Sequence, residues 1–507
     1  MTNEQLIGVI DVESEIVKFS ILNHNGNILL NSYRPIELIK PYPGWVEVDA
    51  ENIWNAVCTT INEVIVKLEL QNLSKDNIKI IGIINERDTV LAWDLESSKP
   101  LCNAIHYTDT RTDTIIQDCI QNCPKALNDI EDATGSKVTS MFSGIKLKWI
   151  INNKHIIKQP ASMENIKFGT LDTWIVWKLT KDACQFFDVP ISLLPTIKSS
   201  SEYYGTIEET HLKGISIGSI FADHQAALYG LHFDKPGQIM SNYGDSCAVS
   251  CIIGTEFKRS NNGLITTVAY KIDKEPAVYA FEGWTSVGGK AIEWLKNNMK
   301  IVDSDEEIES LNIDVSDVYF VPAFNGLAAP HWKPDAKGII CGMTHFTNKK
   351  HILRAALEAF CFHTKDVCVA FEKDTNIVPS QLFVDGLYSI YNNILSYQAD
   401  IMGIDVISSQ MTDDMAIYGS AKAAAKVINI ELGSHEWSLN ISKPTTTEEE
   451  QKNRYSKWLK AIRRSTGITK PQPNQTIADN YNNFSSNFLS TAYLIAMMGM
   501  MVFSDKN

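Results

Sequence analysis

The chain has 507 residues, of which 44% are hydrophobic and 21% are charged. This balance is typical of a folded globular protein and excludes a disordered chain, and the length is sufficient for two or three domains. With 46 basic and 60 acidic residues the net charge is −14. Because non-specific nucleic-acid binding needs a cationic surface, we expect no nucleic-acid partner.

The cysteines and the N-terminus indicate a reducing compartment. Ten cysteines in a chain of this length do not make a disulfide scaffold. The close pairs Cys119/Cys123 and Cys247/Cys251 lack further ligands at zinc-binding spacing. The N-terminus, M-T-N-E-Q, has no basic segment followed by an apolar one, so no secretory signal is expected. The sequence therefore predicts reduced thiols and a cytoplasmic location.

The first predicted elements are a strand, a turn and a second strand. Leu6–Leu22 is rich in apolar and β-branched residues and is predicted as one strand. The next residues include the pair Asn25-Gly26, a strong hairpin signal, and they lead into a short apolar run, I-L-L.

A helix and a buried strand follow. Ala50–Leu70 shows helical spacing of its apolar residues, with Asp49 as the N-cap. Ile78–Ile84 is an apolar strand that runs into N-E-R-D, Asn85–Asp88. A guanidinium and a carboxylate at a strand end can hold vicinal hydroxyls, Arg donating and Asp accepting. The alternative is a surface ion pair that contributes little to stability.

Asp223 lies between the β-prone run Gly214–Phe221 and a small-residue helix, Ala226–Gly230. A carboxylate at a strand-to-helix turn projects from the end of a sheet, where open α/β folds bind their ligands. Beside a substrate hydroxyl, such a carboxylate can accept a proton as general base. From these residues alone, an N-cap of the following helix is the alternative.

The second half begins by repeating the opening pattern. Gln238–Ile253 is again a strand, a small turn at Gly244, Asp245 and Ser246, and a strand. Two such units predict a duplicated α/β domain with a cleft between the copies. Gly288-Gly289 then opens an amphipathic helix, a geometry that lets the backbone approach a ligand closely.

Most of the remaining chain is predicted to be helical. Val318–Gly342 is rich in Pro, Gly and aromatic residues and is predicted as a structured loop. Leu382–Gly386 is predicted as a buried strand. The predicted helices are Lys349–Phe371, Asn392–Met402, Ala416–Val427 and Gln451–Arg464.

The C-terminus carries a hydrophobic tail. Residues 471–507 begin with a linker composition, and Phe488–Phe503 contains sixteen residues without a charge. That length is slightly short of the roughly 17–25 residues that span a bilayer. Two alternatives stay open: a membrane contact, for example at the mitochondrial outer membrane, and a terminal helix packed on the protein.

Nine segments, in order along the chain, share the pattern of one family. They are G-W-V-E-V-D (44–49), N-E-R-D (85–88), N-A-I-H-Y-T-D-T-R-T (103–112), M-F-S-G-I-K-L-K-W-I-I-N-N (141–153), F-G-T-L-D-T-W-I-V-W-K-L-T (168–180), A-D-H-Q-A-A-L (222–228), A-F-N-G-L-A-A-P-H-W-K-P-D-A-K-G (323–338), T-N-K-K-H-I-L-R-A-A-L-E-A (347–359) and Q-A-D-I-M-G-I (398–404). From about residue 6 to about residue 467, the chain resembles the glycerol kinases of the FGGY carbohydrate kinase family.

The resemblance implies an α/β fold of two actin-like (ribonuclease H-like) domains around a nucleotide and substrate cleft. Residues 1–253 would form the N-terminal domain, with the polyol site and the phosphate loops. Residues 254–470 would form the C-terminal domain, with the adenosine side, and residues 471–507 the linker and tail. The implied reaction transfers the γ-phosphoryl group of ATP to a terminal hydroxyl of glycerol, with Mg²⁺ as cofactor. A homodimer is expected.

The resemblance also assigns roles to residues. Asp223 is the expected catalytic base and Arg87 the expected polyol-binding arginine. The other expected substrate-binding residues are Asp88, Met141 and His224. The expected nucleotide-binding residues are Asp11, Ser14, Lys18, Gly244, Ser246, Gly288, Gly386 and Asn392. Asp11 is also the expected metal ligand.

The phosphate loops depart from the family pattern. Glu13 replaces a glycine, Glu15 falls among hydroxyl positions, Lys18 replaces an arginine, and Asp245 enters the second loop. One carboxylate about 4 Å from a phosphate charge costs roughly 4 kcal/mol at an effective dielectric near 20. A few kcal/mol correspond to a hundredfold or more in affinity. Further departures are Leu387 and Tyr418 on the adenosine side, and Asp88, Tyr107, Met141 and His224 on the polyol side.

Two hypotheses follow from the sequence. The first is an ATP-dependent glycerol kinase with weakened phosphate binding. The second is a catalytically inactive paralogue that keeps the fold and a polyol site, and acts as a binding or regulatory partner.

Overall fold

The structure is a computed structural model that describes residues 4–153, 166–180, 198–244, 246–285, 288–311, 313, 317–409, 414–433 and 439–467. Its strands are β1 (Leu6–Val12), β2 (Ile16–Leu22), β3 (Ile28–Pro35), β4 (Leu38–Ile39), β5 (Glu47–Val48), β6 (Ile78–Asn85), β7 (Val90–Asp94), β8 (Ala104–Ile105), β9 (Ile166–Thr170), β10 (Ser201–Thr206), β11 (Ser216–Ala222), β12 (Ile239–Tyr243), β13 (Cys247–Gly254), β14 (Ile265–Tyr270), β15 (Val278–Thr285), β16 (Tyr319–Val321), β17 (Ile339–Cys341), β18 (Gln381–Asp385), β19 (Asp405–Ser409) and β20 (Leu439–Ser442). Its helices are α1 (Ala50–Leu70), α2 (Asp113–Asn122), α3 (Pro124–Thr134), α4 (Ser143–Asn152), α5 (Leu171–Thr180), α6 (Asp223–Gly230), α7 (Gly289–Asn297), α8 (Asp305–Glu309), α9 (Lys349–Thr375), α10 (Asn392–Met402), α11 (Asp414–Val427) and α12 (Glu448–Arg464).

Two large sheets repeat one topology. The first has the order β10-β11-β6-β1-β2-β3, and the second has the order β20-β19-β18-β12-β13-β15-β14. In the first sheet β11, β6 and β1 are parallel, and in the second β19, β18 and β12 are parallel. The antiparallel pair β1–β2 corresponds to the antiparallel pair β12–β13. The predicted duplication of an α/β domain is therefore confirmed.

The alternation of side chains along β1 shows how the layers form. Leu6 and Ile10 pack with α1 and α5 on the outer face of the first sheet. Ile7 and Val9 lie on the other face, in a cluster that also contains residues of α6, α11 and the second sheet, such as Met240. Helices α9, α10 and α12 cover the outer face of the second sheet. Helices α6 and α11 thus fill the space between the two sheets.

The predicted helices are present, with small shifts at their ends. Helix α1 begins after Asp49, whose Oδ1 accepts a hydrogen bond from the Glu51 backbone at 2.9 Å. Helix α9 extends to Thr375, and α12 begins at Glu448. The loop predicted over Val318–Gly342 is irregular along most of its length, with the short strands β16 and β17 near its two ends.

The prediction of one strand over Leu6–Leu22 is wrong. The chain forms β1, turns through Glu13–Glu15 and returns as antiparallel β2, with Val12 opposite Val17. The physical reason is the polar sequence Glu-Ser-Glu, which interrupts the apolar run and is solvated in a turn.

The division between the sheets precedes residue 253. Strands β12 and β13 belong to the second sheet, because β12 pairs in parallel with β18, Asn242 opposite Asp385. The last strand of the first sheet is β11, which ends at Ala222. The domain boundary at 253 stays a prediction from the sequence, whereas the change of sheet falls between residues 222 and 239.

No helix in the described parts of the chain is long and apolar enough to cross a membrane. The hydrophobic tail Phe488–Phe503 lies outside the described residues.

Helices α6 and α11 approach each other through small residues. A Cβ atom on Gly419 would lie 1.9 Å from the carbonyl oxygen of Ala226, and one on Gly230 would lie 2.9 Å from the Met415 carbonyl oxygen. Glycine at both positions lets the two backbones come into contact. Because α6 begins with Asp223, this contact also sets the position of that carboxylate.

Gly419→Ala should therefore destabilise the protein, although alanine is the better helix former. We expect the added methyl group to lower the free energy of unfolding by roughly 1–3 kcal/mol, as in other overpacked cores. Urea unfolding measures the change. The control is Lys426→Ala, an exposed position on the same helix, which should stay within about 0.5 kcal/mol of the parent. A Gly419→Ala protein as stable as the parent would contradict this account of the helix contact.

Candidate functional site

The site is built on the carboxyl ends of three neighbouring parallel strands. In the register of the first sheet, Val12 of β1 and Ala222 of β11 both lie opposite Asn85 of β6. The three strands therefore end level with one another. The residues that follow them, beginning with Glu13, Glu86 and Asp223, emerge at the same edge of the sheet. This topology brings the predicted base, the predicted polyol-binding residues and the first phosphate loop together.

Asp223 is the first residue of α6 and is not its cap. Ala222 occupies the cap position, and Asp223 Oδ1 accepts a hydrogen bond from the backbone N–H of His224 at 2.7 Å. The residue is open to solvent on one side, and protein crowds its carboxylate on the others. Withdrawal from water raises the pKa of Asp223 above its ordinary value, and the negative charges of Glu86 and Glu282 raise it further. The hydrogen bond from the His224 N–H and the positive charge of Arg87 lower the pKa, but they do not cancel the rise.

Arg87 connects the two halves of the molecule. It follows β6 of the first sheet and forms a salt bridge with Glu282, which lies on β15 of the second sheet. Its Nη1 is also 3.5 Å from Thr267 Oγ1 on β14. Glu282 is only 1% exposed, so Arg87, although exposed itself, pairs with a buried carboxylate of the second sheet. Burial alone would lower the pKa of Arg87, but the Glu282 carboxylate outweighs that effect and holds the pKa above its ordinary value.

Asp88 is held in a strained turn by α4. Its backbone has φ +65°, in the left-handed region. Ser143 Oγ donates a hydrogen bond of 2.6 Å to Asp88 Oδ1. Lys146, which is fully buried, donates from Nζ to the carbonyl oxygens of Asp88 at 2.8 Å and Met141 at 3.3 Å. Burial lowers the pKa of Lys146 to about 8, although nearby carboxylates oppose the change. Half-buried Met141 is thus linked to the turn at Asp88 through the ammonium group of Lys146.

His224 contacts the second sheet. It is buried, and its Nε2 lies 2.9 Å from Ser250 Oγ on β13. Burial lowers the pKa of His224 to about 4, so the ring is neutral near pH 7. Its Nδ1 is buried and finds no hydrogen-bond partner among the residues that the structure describes. The ring therefore ties α6 to the second sheet.

The predicted first phosphate loop lies in the turn between β1 and β2. The Glu13 N–H donates to the Ile16 carbonyl at 2.9 Å, and the side chains of Glu13 and Glu15 are exposed. The Ser14 hydroxyl points inward, where it donates to the Glu86 carboxylate and lies 3.0 Å from His106 Nε2.

The two remaining residues expected to bind the first phosphates lie on the strands that flank this turn. Asp11 is buried near the end of β1, directly opposite Lys18 of β2 in the strand register. This places a carboxylate and an ammonium group at the base of the turn.

Glycines of the second half meet at the carboxyl ends of β12 and β18. Gly386 has φ +93°, and a Cβ there would lie 2.8 Å from the Tyr243 backbone nitrogen. A Cβ on Gly288 would lie 2.8 Å from the Gly244 carbonyl oxygen, and the Gly244 N–H donates to the Ser246 carbonyl at 3.1 Å. The predicted glycines on the nucleotide side are therefore in contact.

Asn392 and Tyr418, two further positions on the expected nucleotide side, make contacts elsewhere. Asn392 is exposed at the start of α10, and its Oδ1 accepts a hydrogen bond from Asn440 at 2.6 Å. The Tyr418 ring packs on Gly26 of the β2–β3 turn, and its hydroxyl donates to the Gly433 carbonyl at 3.1 Å. Asp245 lies outside the described residues.

Sequence reasoning missed four charged or titratable residues that shape the site. Three of them lie within the matched segments: Glu86, His106 and Lys146. Each interrupts or follows an apolar run, and a titratable residue in that position indicates a buried polar group with a specific partner. Glu282 follows the apolar run Y-A-F, a pattern that likewise indicates a buried carboxylate. What could not be predicted is their pairing, since the partners lie far apart in the sequence.

The raised pKa of Asp223 has a consequence for stability. The folded state favours the protonated carboxyl, so its contribution to stability is present at low pH and is lost as the pH rises through the folded-state pKa. Asp223→Asn should therefore raise the Tm at pH 7, and the gain should shrink as the pH falls toward the ordinary value of 3.8. Thermal unfolding between pH 5 and pH 8 (roughly the range of native stability) measures it, with exposed Asp234→Asn as control. A lower Tm for Asp223→Asn at pH 7 would show that the carboxylate is structural.

The chain is similar to glycerol kinases along nearly all of its length. The glycerol kinase of Brucella anthropi is 35% identical over 506 residues, with 91% of this chain and 99% of that protein covered. The probable glycerol kinase of Dictyostelium discoideum is 33% identical, with 90% of this chain and 98% of that protein covered.

Solved structures show the same architecture. The crystal structure of Plasmodium falciparum glycerol kinase with ADP has a TM-score of 0.79 and 28% identity, with 92% of this chain and 99% of that chain covered. Xylulose kinase from Rhodospirillum rubrum, with a TM-score of 0.72, 18% identity and coverage of 91% and 98%, shares the fold. The predicted fold, two actin-like α/β domains, is confirmed.

Two family models match the two halves. The model of the N-terminal domain of the FGGY family of carbohydrate kinases matches residues 6–184, and that of the C-terminal domain matches residues 239–427. Together with the relatives above, these matches cover both sheets and the edge that carries Asp223 and Arg87. The chain belongs to the FGGY family of carbohydrate kinases.

Proposed function

We propose that this protein transfers the γ-phosphoryl group of ATP to a terminal hydroxyl of glycerol. The observation that carries the proposal is the meeting of Asp223, Arg87 and the β1–β2 turn at one edge of the first sheet. It is supported by relatives named glycerol kinase at 33–35% identity and by a structural neighbour that holds ADP.

Asp223 is the general base of the proposed reaction. Its carboxylate accepts the hydroxyl proton as the substrate oxygen forms a bond to the γ-phosphorus and the bond from that phosphorus to the bridging oxygen of ADP breaks. Crowding by protein, which raises the pKa of Asp223, also makes it a stronger proton acceptor than a solvated aspartate. Arg87 holds the substrate, since a guanidinium has five N–H donors and Glu282 and Thr267 do not use them all.

The nucleotide would lie between the two sheets. Phosphates and ribose can approach the backbone closely at the turn Glu13–Glu15 and at three glycines, Gly244, Gly288 and Gly386. Mg²⁺, when bound, neutralises phosphate charge. Asp11 would hold it, because a buried carboxylate at a strand end suits a hard cation. Among the described residues no three His, Cys, Asp or Glu side chains converge on a metal site.

A polyol-binding paralogue without turnover is the second candidate. It is favoured by one observation: Ser14, a predicted phosphate ligand, donates its hydroxyl to Glu86 in a turn that also carries Glu13 and Glu15. Such a protein would act as a binding or regulatory partner. For either candidate, a homodimer, a cytoplasmic location and a membrane contact through the tail at 488–503 are further proposals from the sequence.

Glycerol-dependent release of ADP from MgATP separates the two candidates. The kinase proposal expects turnover by the parent protein. It also expects a loss of roughly 10²–10⁴-fold in kcat for Asp223→Asn, the range that general-base catalysis supplies. Asp234→Asn should retain full activity. Thermal shift with MgATP checks that the variant still binds nucleotide. A parent protein that binds both ligands without turnover would establish the second candidate.

The exposure of Glu13 and Glu15 predicts a moderate effect on nucleotide binding. In a water-like dielectric each carboxylate about 4 Å from a phosphate costs roughly 1 kcal/mol, about fivefold in affinity. The double variant Glu13→Gln, Glu15→Gln should lower the KM for MgATP by about 25-fold at low salt, and by less as salt screens the charges. Steady-state kinetics at two ionic strengths test it, with exposed Glu69→Gln as control. An unchanged KM would mean that the phosphates lie far from both carboxylates.

A further inference from the structure

A fully buried lysine lies beneath the predicted polyol site. Lys146 belongs to α4, and its ammonium group donates to two main-chain carbonyl oxygens, that of Asp88 at 2.8 Å and that of Met141 at 3.3 Å. Neither of these acceptors is a carboxylate. Because burial of a charge is costly, a buried ammonium group next to a predicted substrate site indicates a functional role.

The two carbonyl groups belong to separate segments of the chain. Asp88 lies in the turn after β6, and Met141 lies two residues before the start of α4. Both residues are expected to bind the polyol. One ammonium group therefore sets the distance between the backbones of two predicted substrate-binding residues.

The turn at Asp88 depends on contacts from outside the turn. Its φ of +65° is rare for residues other than glycine, and such a conformation persists only where surrounding contacts hold it. Lys146 holds the backbone of the turn, while Ser143 Oγ donates to the Asp88 carboxylate at 2.6 Å. Helix α4 is itself fixed on β7, because Leu147 packs in one cluster with Val90. The turn is thus supported by a rigid helix.

The strength of this support depends on the charge of Lys146. Burial lowers the pKa of Lys146 to about 8. Three carboxylates face the ammonium group and oppose this change, those of Asp88, Asp109 and Glu86, and the guanidinium of Arg111 reinforces it. The side chain is therefore mostly charged at pH 7 and loses its proton as the pH rises above about 8. A hydrogen bond from a charged donor is roughly twice as strong as one from a neutral donor, so the support weakens at alkaline pH.

We propose that Lys146 is a positioning residue for the polyol, whose ammonium group holds the turn at Asp88 against the segment at Met141 so that both meet the substrate in a fixed geometry. This inference rests on the proposed kinase function and adds a residue that acts through two others. The predicted nucleotide-binding residues lie on other elements, in and beside the β1–β2 turn and at the ends of β12 and β18. The effect of Lys146 is therefore confined to the polyol.

Lys146→Met tests the proposal, because it nearly keeps the length of the side chain and removes its charge and its donors. In the assay of ADP release, we expect the KM for glycerol to rise about tenfold, the effect of losing hydrogen bonds from a charged group. The KM for MgATP should stay within about twofold of the parent value. Lys148→Met, at a half-buried position on the same helix, is the matched control and should keep both values. An unchanged KM for glycerol, or an equal rise in both KM values, would overturn the inference.

The pH profile gives a readout that loss of structure alone would not produce. Between roughly pH 7 and pH 9.5 the parent's KM for glycerol should rise several-fold as Lys146 loses its proton, whereas that of Lys146→Met should stay flat. Ser143→Ala removes the companion bond to Asp88, so it should raise the KM and keep the pH dependence. If Lys146→Met does not fold, the profiles of the parent and of Ser143→Ala decide. A parent KM that is constant over this range, or an equal rise in Lys146→Met, would contradict the proposal.

Titration calorimetry with glycerol separates this inference from the proposed function. If the protein binds glycerol without turnover, the kinase proposal fails, and the Kd for glycerol replaces the KM in the same comparisons with the same expected changes. Turnover with a KM for glycerol that does not depend on Lys146 overturns the inference alone. A parent protein that neither binds nor phosphorylates glycerol overturns both.

Discussion

The parallel pairing of β1, β6 and β11 is the constraint on which the site depends. Parallel strands present their carboxyl ends at one edge, and here the register brings Val12, Asn85 and Ala222 level. The loops that follow are therefore neighbours in space although more than two hundred residues separate the first from the last. The second sheet repeats the arrangement with β12, β18 and β19 and supplies the facing glycines. A duplicated fold thus produces a cleft with two chemically different walls.

The ion pair between Arg87 and Glu282 joins these walls electrostatically. Glu282 is buried, and an unpaired carboxylate there would be strongly destabilising. Arg87 is therefore both a structural partner of the second sheet and the cation proposed to hold the substrate. Asp223 lies within the field of this pair and of Glu86, and crowding by protein outweighs the attraction of Arg87. The same contacts that hold the halves together thus set the basicity of the proposed base.

For the turn between β1 and β2, the charges in the sequence alone overstate the electrostatic cost of binding a nucleotide. Glu13 and Glu15 suggest strong repulsion of a nucleotide if an interior dielectric is assumed. Both side chains are exposed in the structure, where water and salt weaken such repulsion several-fold. The uncharged Ser14 departs further from its expected role in phosphate binding, because its hydroxyl already donates to the Glu86 carboxylate. The relative size of these two effects depends on which side chains are buried, and burial cannot be seen in the sequence.

Local features of this protein were determined by the sequence alone. Helix α1 and its cap at Asp49 follow from apolar spacing and one side-chain bond, and the family follows from nine ordered segments. Sequence reasoning failed where the outcome depends on distant partners. It joined β1 and β2 into one strand, left Asp223 open as a helix cap, and offered no pairing for Arg87. Only the tertiary structure places Arg87 against Glu282, 195 residues away. Apolar periodicity and helix capping involve residues a few positions apart, so they can be read from the sequence. Ion pairs such as Arg87–Glu282 form between elements that are distant in the sequence, and only the folded structure shows which elements are neighbours.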